Sequence, residues 1–486
     1  MSIELLYILI LLIPLLTAVG VLLCHQKPNV REAVTLIGGL SLLLVVVALA
    51  LNYDFEQPVT LTLLEPFPGL PVSLRLEPLG LLFTLVAGFL WPVTSLYAIG
   101  YMRGHHEKNQ TRFYFAFAIS IFATMAIALS ANLLTLFLAY EMLTLFTLPL
   151  VTHSGTEAAR RAGWTYLGIL MTTSIGFLLL AIIWTWSLTG TLEFTPGGIL
   201  EGKAEPAILG GLLLLFVFGT GKAALMPFHR WLPAAMVAPT PVSSLLHAVA
   251  VVKAGAFTIL KVVVYIFGID LVGTLDSAYW LSMLAGFTIV SASIIAMTKD
   301  NLKARLAYST ISQLSYITLA AMLGVAGGVM AGSLHIAMHA FAKITLFFAA
   351  GAIMVSWHKT RVSELNGIGY AMPVTMVAFL LASLSIVGLP PLGGSWSKWL
   401  LLNATLEAHN MVLLIVLLLS SLLSIFYLVE IPIRAFFAKP SDPNYNNGIK
   451  EAPTFSLIAI LITTTGCLLL FFLVNPAWNL VEQIIP

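Results

Sequence analysis

The 486-residue sequence predicts an all-α integral membrane protein of fourteen transmembrane helices, on three observations. Hydrophobic residues make up 59% of the chain and charged ones 9%, far from the composition of a water-soluble domain. Apolar stretches of the length a bilayer crossing needs, about 20 residues, recur from Leu5 to Val474. The polar breaks between them are short, so residues 1–486 read as a single polytopic membrane domain.

Crossings are expected at 4–24, 33–51, 78–99, 113–130, 132–151, 164–187, 207–226, 243–268, 278–297, 304–325, 330–355, 370–402, 411–437 and 453–474. The first lacks a basic n-region and a small-residue cleavage site, and reads as a retained helix and not a signal peptide. Of the 23 lysines and arginines, sixteen fall in one set of alternate loops, from Lys27 and Arg31 to Lys439 and Lys450. The opposite loops hold only Arg75 and Lys203, and carry acids such as Glu65, Glu77 and Glu193. By the positive-inside rule the basic set faces the cytoplasm of a cell with this chain in its inner (plasma) membrane, and both termini face outward.

Five lysines remain, Lys222, Lys253, Lys261, Lys343 and Lys398, all inside crossings, and Glu141 is the one acid clearly at that depth. Each ionisable group held in hydrocarbon costs about 2.5–3.5 kcal/mol on insertion scales. Such groups are expected to face a hydrated interior, pair with one another, and have their proton affinity set by burial and by whether a carboxylate is close. That chemistry points to movement of protons or small cations; the plainer alternative for Glu141 and Lys222 is an ion pair that locks helices together.

Two segments sharpen the point. Gly219 and Gly221 precede Lys222 and Pro227 follows it, so the seventh crossing should break within the membrane and expose backbone carbonyls to a polar cavity. The same combination recurs as Gly388-Leu-Pro-Pro-Leu-Gly-Gly-Ser-Trp-Ser-Lys398 in the twelfth, five crossings later, which suggests an internal repeat of inverted topology. His335, His339 and Lys343 recur every fourth residue and lie along one helix face, a candidate relay. His247 and Lys253 on the eighth crossing extend the row, and Ser309, Ser312 and Gln313 can hold water between the charges. Lys261 lies nearer the outer end, where a lysine can snorkel, and His229 sits at the far end of the broken helix, as entry group or cap.

Other chemistries find no support. The net charge of +2 is scattered and forms no nucleic-acid patch. Cys24 and Cys467 read as small core residues, lysines outnumber histidines in the crossings, and no nucleotide, haem or iron–sulfur motif occurs, so neither cofactor nor metal is expected.

At these residues the sequence resembles the antiporter-like, proton-conducting membrane subunits shared by Mrp-type Na⁺/H⁺ antiporters, respiratory complex I and membrane-bound hydrogenases, most of all the D-type Mrp subunits. The motifs that carry the resemblance are Leu-Tyr-Ala-Ile-Gly-Tyr-Met at 96–102, Asn132 through Tyr140 and Glu141, Lys222 with Pro-Phe-His-Arg-Trp-Leu-Pro, Ala-Pro-Thr-Pro-Val-Ser before His247, and His339 with Lys343. Ala234 stands where many relatives carry Asp, and Lys398 where some carry Glu. The resemblance implies fourteen core helices with two inverted five-helix repeats, crossings 4–8 and 9–13. The chain then divides into three N-terminal crossings (1–110), two repeats (111–270 and 271–440) and a last crossing (441–486). It also implies a proton path through Glu141, Lys222, Lys253 or His247, His339, Lys343 and Lys398, and partner subunits of a multisubunit complex. The implied role is that of a transporter component and not of an enzyme, the proton-translocating part of a Na⁺/H⁺ antiporter. The alternatives are a redox-driven pump module of a hydrogenase or NADH–quinone oxidoreductase, and a scaffold whose charges bind a partner or an anion.

Overall fold

The computed structural model describes residues 2–245 and 249–485. The helices that matter below are α1 (Ile3–Leu23), α2 (Pro28–Asn52), α3 (Pro78–Gly104), α4 (Gln110–Ala128), α5 (Leu133–Val151), α6 (Glu157–Thr189), α7 (Pro206–Gly219) and α8 (Val251–Val262). They are followed by α9 (Asp276–Thr298), α10 (Leu302–Met322), α11 (Ala326–Trp357), α12 (Pro373–Val387), α13 (Gly394–Glu407), α14 (Met411–Phe437), α15 (Thr454–Phe472) and α16 (Asn475–Glu482). Among the described residues ten of these, α1 to α6, α9, α11, α14 and α15, are long and apolar enough to cross a membrane.

Local chemistry sets the ends. Asn132, Thr156, Asn301 and Asn410 cap α5, α6, α10 and α14 by accepting a backbone N–H three residues on. Prolines at the first positions of α2, α3, α7 and α12 enter the helix where no N–H partner is needed. The two expected interruptions are present. After α7 the chain forms a single 3₁₀ turn, Gly221–Ala223, before helix resumes at Trp231–Ala234, and α12 stops at Gly388 (φ +94°) before α13 begins at Gly394. Helical form therefore continues past the expected ends at 226 and 402, to Ala234 and Glu407.

The 32-residue α11 forms the axis of the bundle and its apolar stretch is wholly buried. It packs against α3, α10, α12, α13 and α15, while α1, α2, α6, α14 and α15 turn much of their apolar surface outward, as lipid-facing helices do. One departure from the all-helical expectation is an antiparallel hairpin whose first strand, Thr60–Phe67, is exposed and whose second, Leu70–Arg75, is partly buried. Its turn at Pro66-Phe67-Pro68-Gly69, with Gly69 at φ +79°, and its Thr, Val and Leu content suit a short strand pair better than a loop. A similar device recurs at the starts of α5 and α10: Asn132 bridges to Glu193, and Asn301, at the opposite end of the bundle, bridges to Arg361.

The break at Lys222 needs a neighbour without a side chain. A Cβ on Gly255 of α8 would meet the backbone of Lys222 and Ala223, with Ala223 Cα at 2.9 Å. Gly168 on α6 has open space around it. Gly255→Val should therefore lower stability by about 2 kcal/mol through overpacking and reduce the thermal midpoint of the detergent-solubilised protein, whereas Gly168→Ala should leave it unchanged or raise it.

Candidate functional site

Four of the five interior lysines, Lys222, Lys253, Lys261 and Lys343, are wholly buried, and Lys398 is 6% exposed. In a bundle whose backbone groups bond one another along the helices, each ammonium must find oxygen or nitrogen partners from side chains or from helix ends. The structure supplies a different answer for each.

Lys222 is carried inward by the 3₁₀ turn. Its Nζ donates to the Tyr140 carbonyl (2.8 Å) and the Thr144 hydroxyl (2.7 Å) of α5 and lies 3.1 Å from the centroid of the Tyr140 ring. Trp231 Nε1 donates to the Gly221 carbonyl (3.0 Å), which also accepts the Ala224 N–H, and so ties the turn to the resumed helix. The expected direct ion pair with Glu141 is not formed. No ion pair joins the two among the described residues, because the ammonium is drawn to the polar groups one residue before and three residues after Glu141. Both Glu141 carboxylate oxygens are buried without a hydrogen-bond partner among the described residues, an arrangement that calls for a proton, a cation or water beside them.

Deeper in the bundle the members of the row draw closer together. Lys253 Nζ is 2.7 Å from His339 Nδ1, and the His339 ring centroid is 5.7 Å from that of His335. His335 Nδ1 lies 2.9 Å from the Ser397 hydroxyl, next in sequence to Lys398. Tyr316 of α10 stacks on His335, with centroids 5.8 Å apart, and its ring centroid is 4.9 Å from the Lys398 ammonium. Lys398 donates to Ser421 Oγ (3.0 Å) and to the Val387 carbonyl (3.2 Å), one that the end of α12 leaves open. Lys398 also borders a cavity of about 660 Å³ with Trp396, Trp399 and Phe471.

Lys343 is on the same helix face as the two histidines but bonds elsewhere, donating to Ser309 Oγ of α10 at 2.8 Å. A hydroxyl cluster, Ser293, Ser312 and Ser420, joins α9, α10 and α14 nearby. Gln313 is buried with its amide unpaired among the described residues. His229 is partly buried with its ring 6.3 Å from Tyr308, away from the row. His247 lies outside the described residues. Lys261 does not snorkel; it is paired with Glu77 at 3.2 Å.

Sequence reasoning missed Tyr140, Thr144, Tyr316, Ser397 and Ser421 as partners. Thr144 and Ser397 carry a weak signal, each within three residues of a charged site residue, whereas Tyr316 and Ser421 read as ordinary helix positions. The Lys253–His339 contact is chemically informative, because an amine and an imidazole at 2.7 Å need one nitrogen to donate and the other to accept, so the two share protons as a unit. A double-mutant cycle with Lys253→Met and His339→Phe should return a coupling of about 1 kcal/mol, measured by denaturant unfolding in mixed micelles; additive effects would contradict the contact.

The comparisons agree with this architecture. Residues 130–424 match the family model described as "NADH:quinone oxidoreductase/Mrp antiporter, TM". The chain is 31% identical over 418 residues to NADH-quinone oxidoreductase subunit N of Desulforudis audaxviator, covering 83% of this chain and 82% of that one. It is 29% identical over 444 residues to a Na(+)/H(+) antiporter subunit of Alkalihalophilus pseudofirmus, covering 84% of this chain but 53%, about half, of the relative. A solved chain in the Mrp complex from Dietzia sp. DQ12-45-1b shares the fold with a TM-score of 0.87 at 20% identity, covering 100% of this chain and 97% of that one. A helical membrane bundle with two interrupted helices, an interior row of lysines and this match over more than half its length place the chain in the NADH:quinone oxidoreductase/Mrp antiporter transmembrane family.

Proposed function

We infer that this chain is a proton-translocating subunit of a multisubunit monovalent-cation/proton antiporter, moving protons along the row that runs from Glu141 and Lys222 through Lys253, His339 and His335 to Lys398. The Lys253–His339 hydrogen bond carries the reading, since it places two groups that each gain and lose a proton in direct contact inside a membrane-embedded bundle. Glu141 acts from one residue beyond Tyr140, changing the affinity of Lys222 for its proton as the carboxyl is charged or neutral. Lys343 supplies a branch through Ser309 and His247 an approach on the eighth crossing.

Fourteen crossings, divided as 1–110, 111–270, 271–440 and 441–486, belong to the same reading. Paired features support two inverted repeats: an interrupted helix in each, an Asn-capped helix whose cap bridges to a later loop in each, and a π-helical segment in each at Val263–Phe267 and Ile425–Val429. The face rich in basic loops is assigned to the cytoplasm of a plasma membrane, with the termini on the outer side.

The coupled energy source lies in partner subunits. Similarity to the Alkalihalophilus antiporter protein favours cation exchange; the fuller two-way coverage of the Desulforudis quinone oxidoreductase protein favours a redox-driven pump as the second reading. Isolation of the native complex in mild detergent separates them by its companion chains. For the proton path, Lys222→Ala in the reconstituted complex should cut proton flux at least tenfold while assembly survives, and Glu141→Ala should depress it likewise. Flux at the wild-type level in Lys222→Ala would leave the chain a scaffold.

A further inference from the structure

The row described above stops short of the face that carries the termini, and a second buried cluster lies between them. Lys261 is eight residues beyond Lys253 on α8, about 12 Å along the helix at 1.5 Å per residue. Its ammonium is wholly buried and faces Glu77, at the start of α3, with Nζ 3.2 Å from Oε2. It also donates to the Ser130 carbonyl at 2.5 Å and stands 4.2 Å from the Phe194 ring centroid.

Behind Glu77 is Arg75, 3.3 Å from it and 3.6 Å from Glu193, which is 38% exposed. A cavity of about 290 Å³ reaches this cluster, lined by Arg75, Glu77, Phe194 and Tyr265 with Gln483 of the C-terminal segment. The Tyr265 hydroxyl is buried and has no hydrogen-bond partner among the described residues. Tyr53, which follows α2, donates to the Leu76 carbonyl beside Glu77. The charged and titratable groups facing the pair are thus Arg75, Glu193, Tyr53 and Tyr265.

A fixed structural ion pair needs neither a cavity at its back nor an unpaired hydroxyl beside it. We propose that Lys261 and Glu77 form the port through which the interior row exchanges protons with the aqueous phase on the termini face. In the outward step an N–H bond of the Lys261 ammonium breaks and an O–H bond forms on Glu77, leaving a neutral amine and a neutral carboxyl. The carboxyl then passes the proton to water in the cavity, and the amine is reprotonated from the Lys253 side; the inward step is the reverse. Burial pushes the Glu77 carboxyl up from the ordinary glutamate range, against the pull of Lys261 and Arg75, which suits a group that must accept a proton in passing.

The port rests on the proton-translocating reading, and the two are separable by experiment. Arginine keeps the charge and the pairing with Glu77 but does not release a proton at physiological pH. In the reconstituted complex, Lys261→Arg should assemble and lose at least tenfold of its proton flux; flux within twofold of wild type overturns the port. Should Lys261→Arg fail to assemble, Glu77→Gln serves instead: with no carboxylate to take the proton, flux should fall at least tenfold, and flux within twofold of wild type overturns the port. Failure of both variants to assemble assigns the pair to folding and overturns it equally. Lys222→Ala run in parallel distinguishes the failures: if it abolishes flux and Lys261→Arg does not, only the port falls.

Discussion

The structure depends on how buried ammonium groups are satisfied in a bundle whose backbone hydrogen bonds are already committed to helices. Within the protein the partners are hydroxyls such as Thr144, Ser309 and Ser421, an imidazole in His339, and backbone carbonyls at Tyr140 and at Val387, the second left open where a helix stops. None of these partners of Lys222, Lys253, Lys343 and Lys398 is an acid; Lys261, paired with Glu77, is the exception. An ammonium held by neutral acceptors keeps a proton that it can surrender without leaving a bare carboxylate behind, whereas in the Lys261–Glu77 pair the carboxylate itself takes the proton and both charges are lost together.

The same requirement shapes the framework. Breaking two helices inside a membrane frees backbone groups that must be met again, and the molecule meets them locally, through the Ala224 N–H on Gly221 within the turn and Lys398 on Val387. Close packing then brings glycines to the breaks: Gly255 admits the turn at Lys222, and a Cβ on Gly388 would meet the Lys398 side chain at 2.7 Å. The rigid axis α11 holds His335, His339 and Lys343 in one line, so each reaches a different neighbouring helix: α13 at Ser397, α8 at Lys253 and α10 at Ser309.

Much of this is legible in the residues alone. Apolar runs mark the crossings, Gly and Pro beside lysine mark both interruptions, and the lysines left over once the loops are assigned are the buried ones. The rest depends on distance and rotamer, which spacing does not carry. Glu141 and Lys222 are expected to touch, yet Tyr140 and Thr144 hold the ammonium instead; Lys343 is expected in line with the histidines and turns to Ser309. Glu77 looks like one more solvated loop acid, because it stands just ahead of α3 and its burial against Lys261 of α8 does not show in the sequence. The hairpin at 60–75 is hidden because its strands are short and flank a proline-rich turn.

All of the above requires that the interior amines lie on a hydrated track and are not isolated in dry contacts. A cryo-electron microscopy map of the native complex, at a resolution that places individual waters, tests this most directly. The account predicts ordered water beside the Glu141 carboxylate and a hydrogen-bonded series of waters joining Lys222 to Lys253 and His335 to Lys398. A map with those gaps filled by apolar side chains, and no water between the charged groups, would contradict it.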